Sequence, residues 1–361
     1  MEENKTIRQS NFELLRIICM LMLVAHHCCV HGGILQTDSP NKYFALIFLP
    51  VGKICFVAFL TLSMYFLCEK QFKAERFIKT WLEVFFYSIT FCVLSFIFVP
   101  RSTISMIQGG AAALLPISGN SHGFASTYLL FYLLLPFVKK SVDGLEQKPL
   151  KFLIVILFYA QILEQIIMKF TKWAQPIYSL PTLFLFCYTF LLYLKRYSIR
   201  VLENKFFTGM IVILVWAFVY VTNYMAFKNG NRYLTFLNSF TVDESSLLYV
   251  IAGIALFFFF KEINIPQSKL INKIATCTFG VLLIHDHQFF RYALWQKIVK
   301  TQEWYYSDKY ILYFVLVTLC VFITCSVFDF LRQITIEKLI MKSKLVNKAT
   351  IKLNSLLGRT V

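Results

Sequence analysis

The chain is a succession of apolar runs separated by short polar stretches. Ten such runs stand out, at approximately 12–31, 44–68, 76–99, 121–138, 152–168, 177–194, 206–227, 245–260, 271–290 and 309–331. Runs of this length read as membrane spans, because a helix needs about 20 apolar residues to cross about 30 Å of hydrocarbon. The pattern predicts an all-α, polytopic integral membrane protein with about ten transmembrane helices. The fourth and eighth runs are among the shortest. After the tenth, residues 333–361 alternate Lys with Ile and Leu. They read as a basic amphipathic tail on the cytoplasmic membrane surface. The expected division is a single transmembrane domain over 1–332 and that tail over 333–361.

The first run, Asn11–His31, organises the others. It carries Glu13 and Arg16 near one end and His26, His27 and His31 near the other. Ionisable groups in a span are costly and face the protein interior or a wet cavity, so they count as functional candidates. Arg16 and His27 are eleven positions apart, close to three full turns. Both therefore point the same way, about 16 Å apart along the axis. Glu13 lies one turn before Arg16 on the same side. Arg16, His26 and His27 inside the run, with no small-x-small cleavage site, mark it as a retained span rather than a signal peptide.

Composition agrees with the span count. Hydrophobic residues make up 58% and charged residues 15%, with a mean hydropathy of +0.64. A soluble domain has about 45–50% apolar and about 25% charged residues. The net charge of +17 could suggest nucleic acid, but the Lys and Arg sit between the apolar runs, as a topology signal requires. If the N-terminus is cytoplasmic and ten spans alternate, 25 of the 36 Lys and Arg fall on the cytoplasmic side. Both termini are therefore expected inside. Most of the ten cysteines lie within apolar runs and read as small packing residues.

Three clusters could carry chemistry. His27, with an unperturbed imidazole pKa near 6.5, suits general-base or nucleophilic use. His27 and His31 are one turn apart, so a metal pair is conceivable. No nearby carboxylate or cysteine pattern supports it, and no metal is assigned. Second, Lys70, Lys73, Arg76 and Lys79 enter the third span from the cytoplasm. Arg76 and Lys79 share a helical face and, with Arg16, could place three cations at one mouth. Guanidinium groups bind phosphate by paired hydrogen bonds, so this mouth suits a polyanion. Third, the ninth span ends on His285-Asp286-His287, on the external side, where the first span also ends. His285 and Asp286 could help to bind an extracytoplasmic acceptor. Glu164 and Asp329 also lie within spans and have no assigned role.

The order and spacing of these pieces resemble the acyltransferase family 3 membrane proteins, which O-acylate surface polysaccharides and related glycans. Asn11-Phe12-Glu13-Leu14-Leu15-Arg16 through His27 looks like the family's Arg–ten residues–His signature. Arg76-Phe77-Ile78-Lys79 resembles its paired basic residues. Phe131–Pro136, Phe257–Lys261 and Thr278–His285 resemble later motifs.

The resemblance implies an acyltransferase of the cell (plasma or inner) membrane. It would use a cytoplasmic acyl-CoA, most often acetyl-CoA, as co-substrate, with no permanently bound cofactor. The acceptor would be a glycan or lipid-linked glycan hydroxyl. Arg16, Arg76 and Lys79 would bind acyl-CoA. His27 would act as base or acyl carrier, with Glu13 as a further catalytic candidate. His285, Asp286 and His122 would stand on the acceptor side. Expected partners are acyl-CoA, the glycan and membrane lipids, and no nucleic acid. The chain departs from the family pattern at three places: Met64 replaces a glycine, His122-Gly123 replace aromatic residues, and Lys79 replaces an arginine. The competing reading is a membrane carrier for a glycan or acyl donor. Carriers often show inverted repeats with broken helices, and the sequence shows neither.

Overall fold

A computed structural model describes residues 8–100, 102–119, 122–171, 179–229 and 232–357. No strand occurs among them. The first run forms α1 (Ser10–Val30). The chain leaves it through Gly32 and Gly33, and Gly33 adopts a left-handed φ of 87° that a side chain would resist. A short α2 (Lys42–Ala45) leads into α3 (Phe48–Leu67), followed by α4 (Ala74–Phe98), α5 (Thr103–Leu114) and α6 (Gly123–Val142). Helix α7 (Gln147–Phe158) continues through a π-helical turn, Tyr159–Leu163, into α8 (Glu164–Thr171). Then come α9 (Leu180–Arg196), α10 (Lys205–Asn229), α11 (Arg232–Ser239) and α12 (Leu247–Lys261). The chain closes with α13 (Lys269–Ala275), α14 (Thr278–His285), α15 (Tyr310–Arg332), a second π-helical turn at Gln333–Glu337, α16 (Lys338–Met341) and α17 (Lys344–Leu356).

Among the described residues, six stretches are long and apolar enough to cross a membrane. They are Ser10–Gln36, Lys42–Leu67, Ala74–Phe98, Gln147–Lys169, Lys205–Lys228 and Tyr310–Met341. The other four expected spans have different forms. The fourth is α6, which carries Pro136 inside and Lys139 and Lys140 in its last turn. The sixth begins among residues outside the described set and continues as the 17-residue α9. The eighth is the 15-residue α12. The ninth is broken between α13 and α14, where the Thr276 and Thr278 hydroxyls donate to the Lys273 and Ala275 carbonyls at 2.8 and 2.9 Å. Such side-chain bonds compete with the helical ladder. Two of the stretches between the apolar runs contain helices. In 100–120, Ser102 caps α5 by accepting from the Ser105 N–H, and Ala111–Ala113 favour helix. In 228–244 lies α11.

Helix α1 is the axis of the packing. It contacts α3, α12, α13, α14 and α15, and Leu15, Cys19, Met20, Val24 and Cys29 on it are wholly buried. Two close approaches depend on glycine. A Cβ on Gly52 of α3 would lie 2.3 Å from the His26 ring, and one on Gly280 of α14 would lie 2.2 Å from the Asp329 carboxyl carbon. Met64, at the position where the family pattern has glycine, is wholly buried.

A buried ion network ties α4 to the end of α15. The Arg332 guanidinium donates to Glu83, Asp329 and Glu337, each at 2.9 Å. Asp329 also accepts from Tyr87 Oη at 2.6 Å and Gln333 Nε2 at 2.7 Å. The π turn explains the reach of Glu337. Its i to i+5 periodicity stacks residue 337 over 332, which an α-helix would not. Breaking such a buried pair costs about 3–5 kcal/mol. Beyond it, α17 packs along α4 and buries Val346. The helix therefore runs past residue 332 without a linker.

Candidate active site

One end of α1 gathers the histidines. His27 Nδ1 lies 2.9 Å from His285 Nε2, and His285 Nδ1 lies 2.6 Å from the Val281 carbonyl. These two distances fix the proton positions. A carbonyl only accepts, so His285 Nδ1 carries a proton. In a neutral His285, Nε2 is then an acceptor, and it takes the proton bond from His27 Nδ1–H. The lone pair of His27 is left on Nε2. A wholly buried residue thus sets the tautomer of one that is slightly exposed.

Asp286, which caps α14, adds a negative charge 3.8 Å from His27 Nδ1. An imidazolium forming on His27 would be stabilised by it, by about 4 kcal/mol at 4 Å for an effective dielectric constant of about 20. Asp286 also accepts from His31 Nε2 at 3.2 Å, and Arg291 lies 3.7 Å away. His26 faces away and bonds the Phe48 carbonyl at 3.2 Å.

His122 and His287 pack edge to face beside this group, with ring centroids 4.8 Å apart. The His287 ring is fully committed, with Nε2 donating to the Ser88 carbonyl at 3.2 Å and Nδ1 accepting from Phe289 N–H at 3.3 Å. His122 Nε2 is buried and has no hydrogen-bond partner among the described residues. The loops around this end are pinned to each other. Gln296 donates to the His31 and Gly32 carbonyls at 2.9 Å, Asn41 donates to the Tyr305 carbonyl at 2.9 Å, and Tyr305 Oη bonds the Gly32 carbonyl.

The other end of α1 opens on a cavity of about 200 Å³, with Arg16, Lys70 and Arg76 among its lining residues. Its walls include Phe59, Phe66, Phe124, Tyr128 and Phe279, with Ser63, Thr80 and Glu83 as polar points. Glu13 pairs with Arg16 at 3.6 Å, and the Arg16 guanidinium sits over the Phe59 ring. Arg76 donates to Tyr128 Oη at 3.4 Å. Cations at a mouth with aromatic walls behind them suit an anionic headgroup with an apolar or amide tail.

The fold thus brings Arg16 and Arg76 to one cavity, and His27, His285 and Asp286 to one cluster, with His122 beside it. Two expected residues stand elsewhere. Lys79 does not line the cavity and pairs with Glu337 at 2.6 Å. Three residues beyond Arg76 on α4, it is turned toward the π turn after α15, and Lys70 supplies the third cation instead. Glu13 lies with Arg16 rather than with His27, about 21 Å further along the axis by helical rise.

Sequence reading missed Lys70 as a lining residue, His287 as the partner of His122, and Glu83. Each left a signal. Lys70 belongs to the cationic run, His287 is two residues from His285, and Glu83 is an ionisable group within an apolar segment.

A family model described as an acyltransferase domain, that of the acyltransferase family 3, matches residues 9–329. No curated protein and no solved structure gives a match. The matched stretch holds both ends of α1, the cationic cavity and the histidine cluster, and covers nearly the whole chain. The protein therefore belongs to the acyltransferase family 3 and is a membrane acyltransferase.

Proposed function

We propose that this protein moves an acyl group, most simply acetyl, from cytoplasmic acyl-CoA to a hydroxyl of an exported or cell-surface glycan. The observation that carries the reading is the polarity of α1. The helix joins a cavity lined by Arg16, Lys70 and Arg76 to a cluster in which His27 Nε2 holds a lone pair. In this reading the protein sits in the plasma or inner membrane and crosses it ten times, the shorter α6, α9 and α12 and the broken α13–α14 included. Both termini are cytoplasmic, and 333–361 lies on the cytoplasmic surface.

Arg16 and Arg76 hold the phosphates of the donor, and Glu13 orients Arg16. The pantetheine arm, an extended chain of about 15–20 Å by bond geometry, matches the axial distance of about 16 Å from Arg16 to His27.

His27 Nε2 takes the proton of the acceptor hydroxyl as its oxygen attacks the thioester carbonyl. The carbon–sulfur bond breaks, and His27 Nε2–H returns the proton to the departing thiolate. Asp286 stabilises the transient imidazolium, and His285 keeps the proton on Nδ1 between turnovers. His122 Nε2, the buried nitrogen without a partner among the described residues, is available to the acceptor.

The test is acylation in membranes bearing the glycan. His27→Ala should abolish acyl transfer while the protein still inserts and the glycan is still exported. Unchanged acyl content in that variant sinks the assignment. Lost export with acylation intact would favour a carrier.

A further inference from the structure

Sequence alone presents His27 and His31 as two nitrogens without a third ligand. The fold supplies one. Asp286, brought in by the break between α13 and α14, offers an oxygen. One ligating atom from each of the three residues lies within 4.8 Å of the other two.

The spacing can be compared with a metal's demands. Two ligand atoms about 2.0–2.1 Å from a tetrahedral zinc ion are about 3.3 Å apart. His31 Nε2 and Asp286 Oδ1 are 3.2 Å apart already. His27 Nδ1 is 3.8 Å from the same oxygen, and the three ligand atoms lie within 4.8 Å of one another, so turning the His27 and His31 rings to close up to about 1.5 Å would complete the set. Two imidazoles and a carboxylate with an open fourth position form a zinc-type donor set. The three side chains are 13, 20 and 29% exposed, so an ion can reach them. The neighbouring rings of His26 and His285 are engaged with backbone carbonyls. Arg291 stands 3.7 Å from the Asp286 oxygen, but its side chain is 42% exposed and can swing clear.

We propose that His27, His31 and Asp286 bind a divalent transition-metal ion of the zinc class, and that the ion inhibits the enzyme. The inhibition follows from the tautomer. Metal on His27 Nδ1 takes the place of the proton that now bonds His285. A neutral imidazole so ligated carries its proton on Nε2. The atom that must accept the hydroxyl proton then has no lone pair. Binding rests on geometry alone, whereas the inhibitory consequence rests on His27 acting as the base.

The experiment uses the full chain, purified in detergent or kept in membranes, with Co²⁺ and Zn²⁺ as probes. One Co²⁺ per chain should give visible d–d bands, and Zn²⁺ should abolish them. His31→Gln, which keeps side-chain size and a donor toward Asp286, should weaken both ions at least about tenfold, since even a supporting partner of a ligand is worth about 10- to 100-fold. Its activity without metal should stay within about twofold of the parent. The Zn²⁺ concentration that halves acyl transfer should rise by the same factor as the binding constant. Asp286→Asn provides a second ligand variant, and size-exclusion profiles check that both fold.

Absence of Co²⁺ bands in the parent overturns the site. So does a His31→Gln variant that binds as tightly as the parent, because the ion would then be held elsewhere. Binding that depends on His31 but leaves acyl transfer untouched overturns the inhibition. That outcome is separate from failure of the base assignment, which His27→Ala reports directly.

Discussion

Replacing His285 tests the chain of hydrogen bonds that sets the His27 tautomer. His285→Leu keeps the buried volume roughly constant, so packing should change little. It removes the acceptor 2.9 Å from His27 Nδ1. A buried donor left without its partner costs about 1–3 kcal/mol, and nothing then holds the proton on Nδ1. At 1.36 kcal/mol per tenfold, kcat should fall about 5- to 150-fold. Asp286, 3.8 Å from the same nitrogen, can accept part of the released bond, which favours the lower half of that range. The proposed donor site is at the other end of α1, so KM for acetyl-CoA should not move. His285→Gln presents an amide oxygen at similar reach and should recover most of the rate. The assay is acyl transfer from acetyl-CoA to surface glycan in membranes, titrated in donor and normalised to folded protein. If His285→Leu keeps more than half of kcat, the tautomer argument fails. It also fails if the Leu and Gln variants are equally slow while both remain folded, because that pattern indicates packing rather than proton placement.

Four further outcomes are expected. Arg76→Ala and Lys70→Ala should each raise KM for acetyl-CoA about 10-fold or more, the worth of one charged hydrogen bond of about 1.5–3 kcal/mol. Lys79→Ala should leave KM within about twofold, because Lys79 is paired with Glu337 away from the cavity; donor titrations that rank Lys79 with Arg76 would contradict this placement. Arg332→Met should destabilise the protein by about 3–5 kcal/mol by leaving Glu83 and Asp329 without their counter-charge, read as a lower detergent melting temperature, and an unchanged melt would remove the network from the fold's support. Gly52→Val should drive a side chain into the His26 ring at about 1–3 kcal/mol and slow transfer by displacing the histidine end of α1, whereas a variant with normal stability and rate would show that α1 and α3 separate freely there.

What the sequence determined by itself were the properties that follow from one helix and from averages along the chain. Apolar run length made the protein a membrane helix bundle, since no other use accounts for so many runs near 20 residues. Helical periodicity put Arg16 and His27 on one face of α1, about 16 Å apart. The order of motifs matched the family that also covers residues 9–329.

Relations between helices were decided only by the tertiary structure. Arg76 and Lys79 look equivalent along α4, yet a π turn far away in sequence brings Glu337 to Lys79 and leaves the cavity to Lys70. His27 and His31 were two histidines on a span until a break between α13 and α14 delivered His285 and Asp286 to them. Helical spacing is local and can be read from residue to residue. Which carboxylate meets which cation depends on packing between segments more than 200 positions apart, and there the buried charge must find a partner or carry its desolvation cost alone.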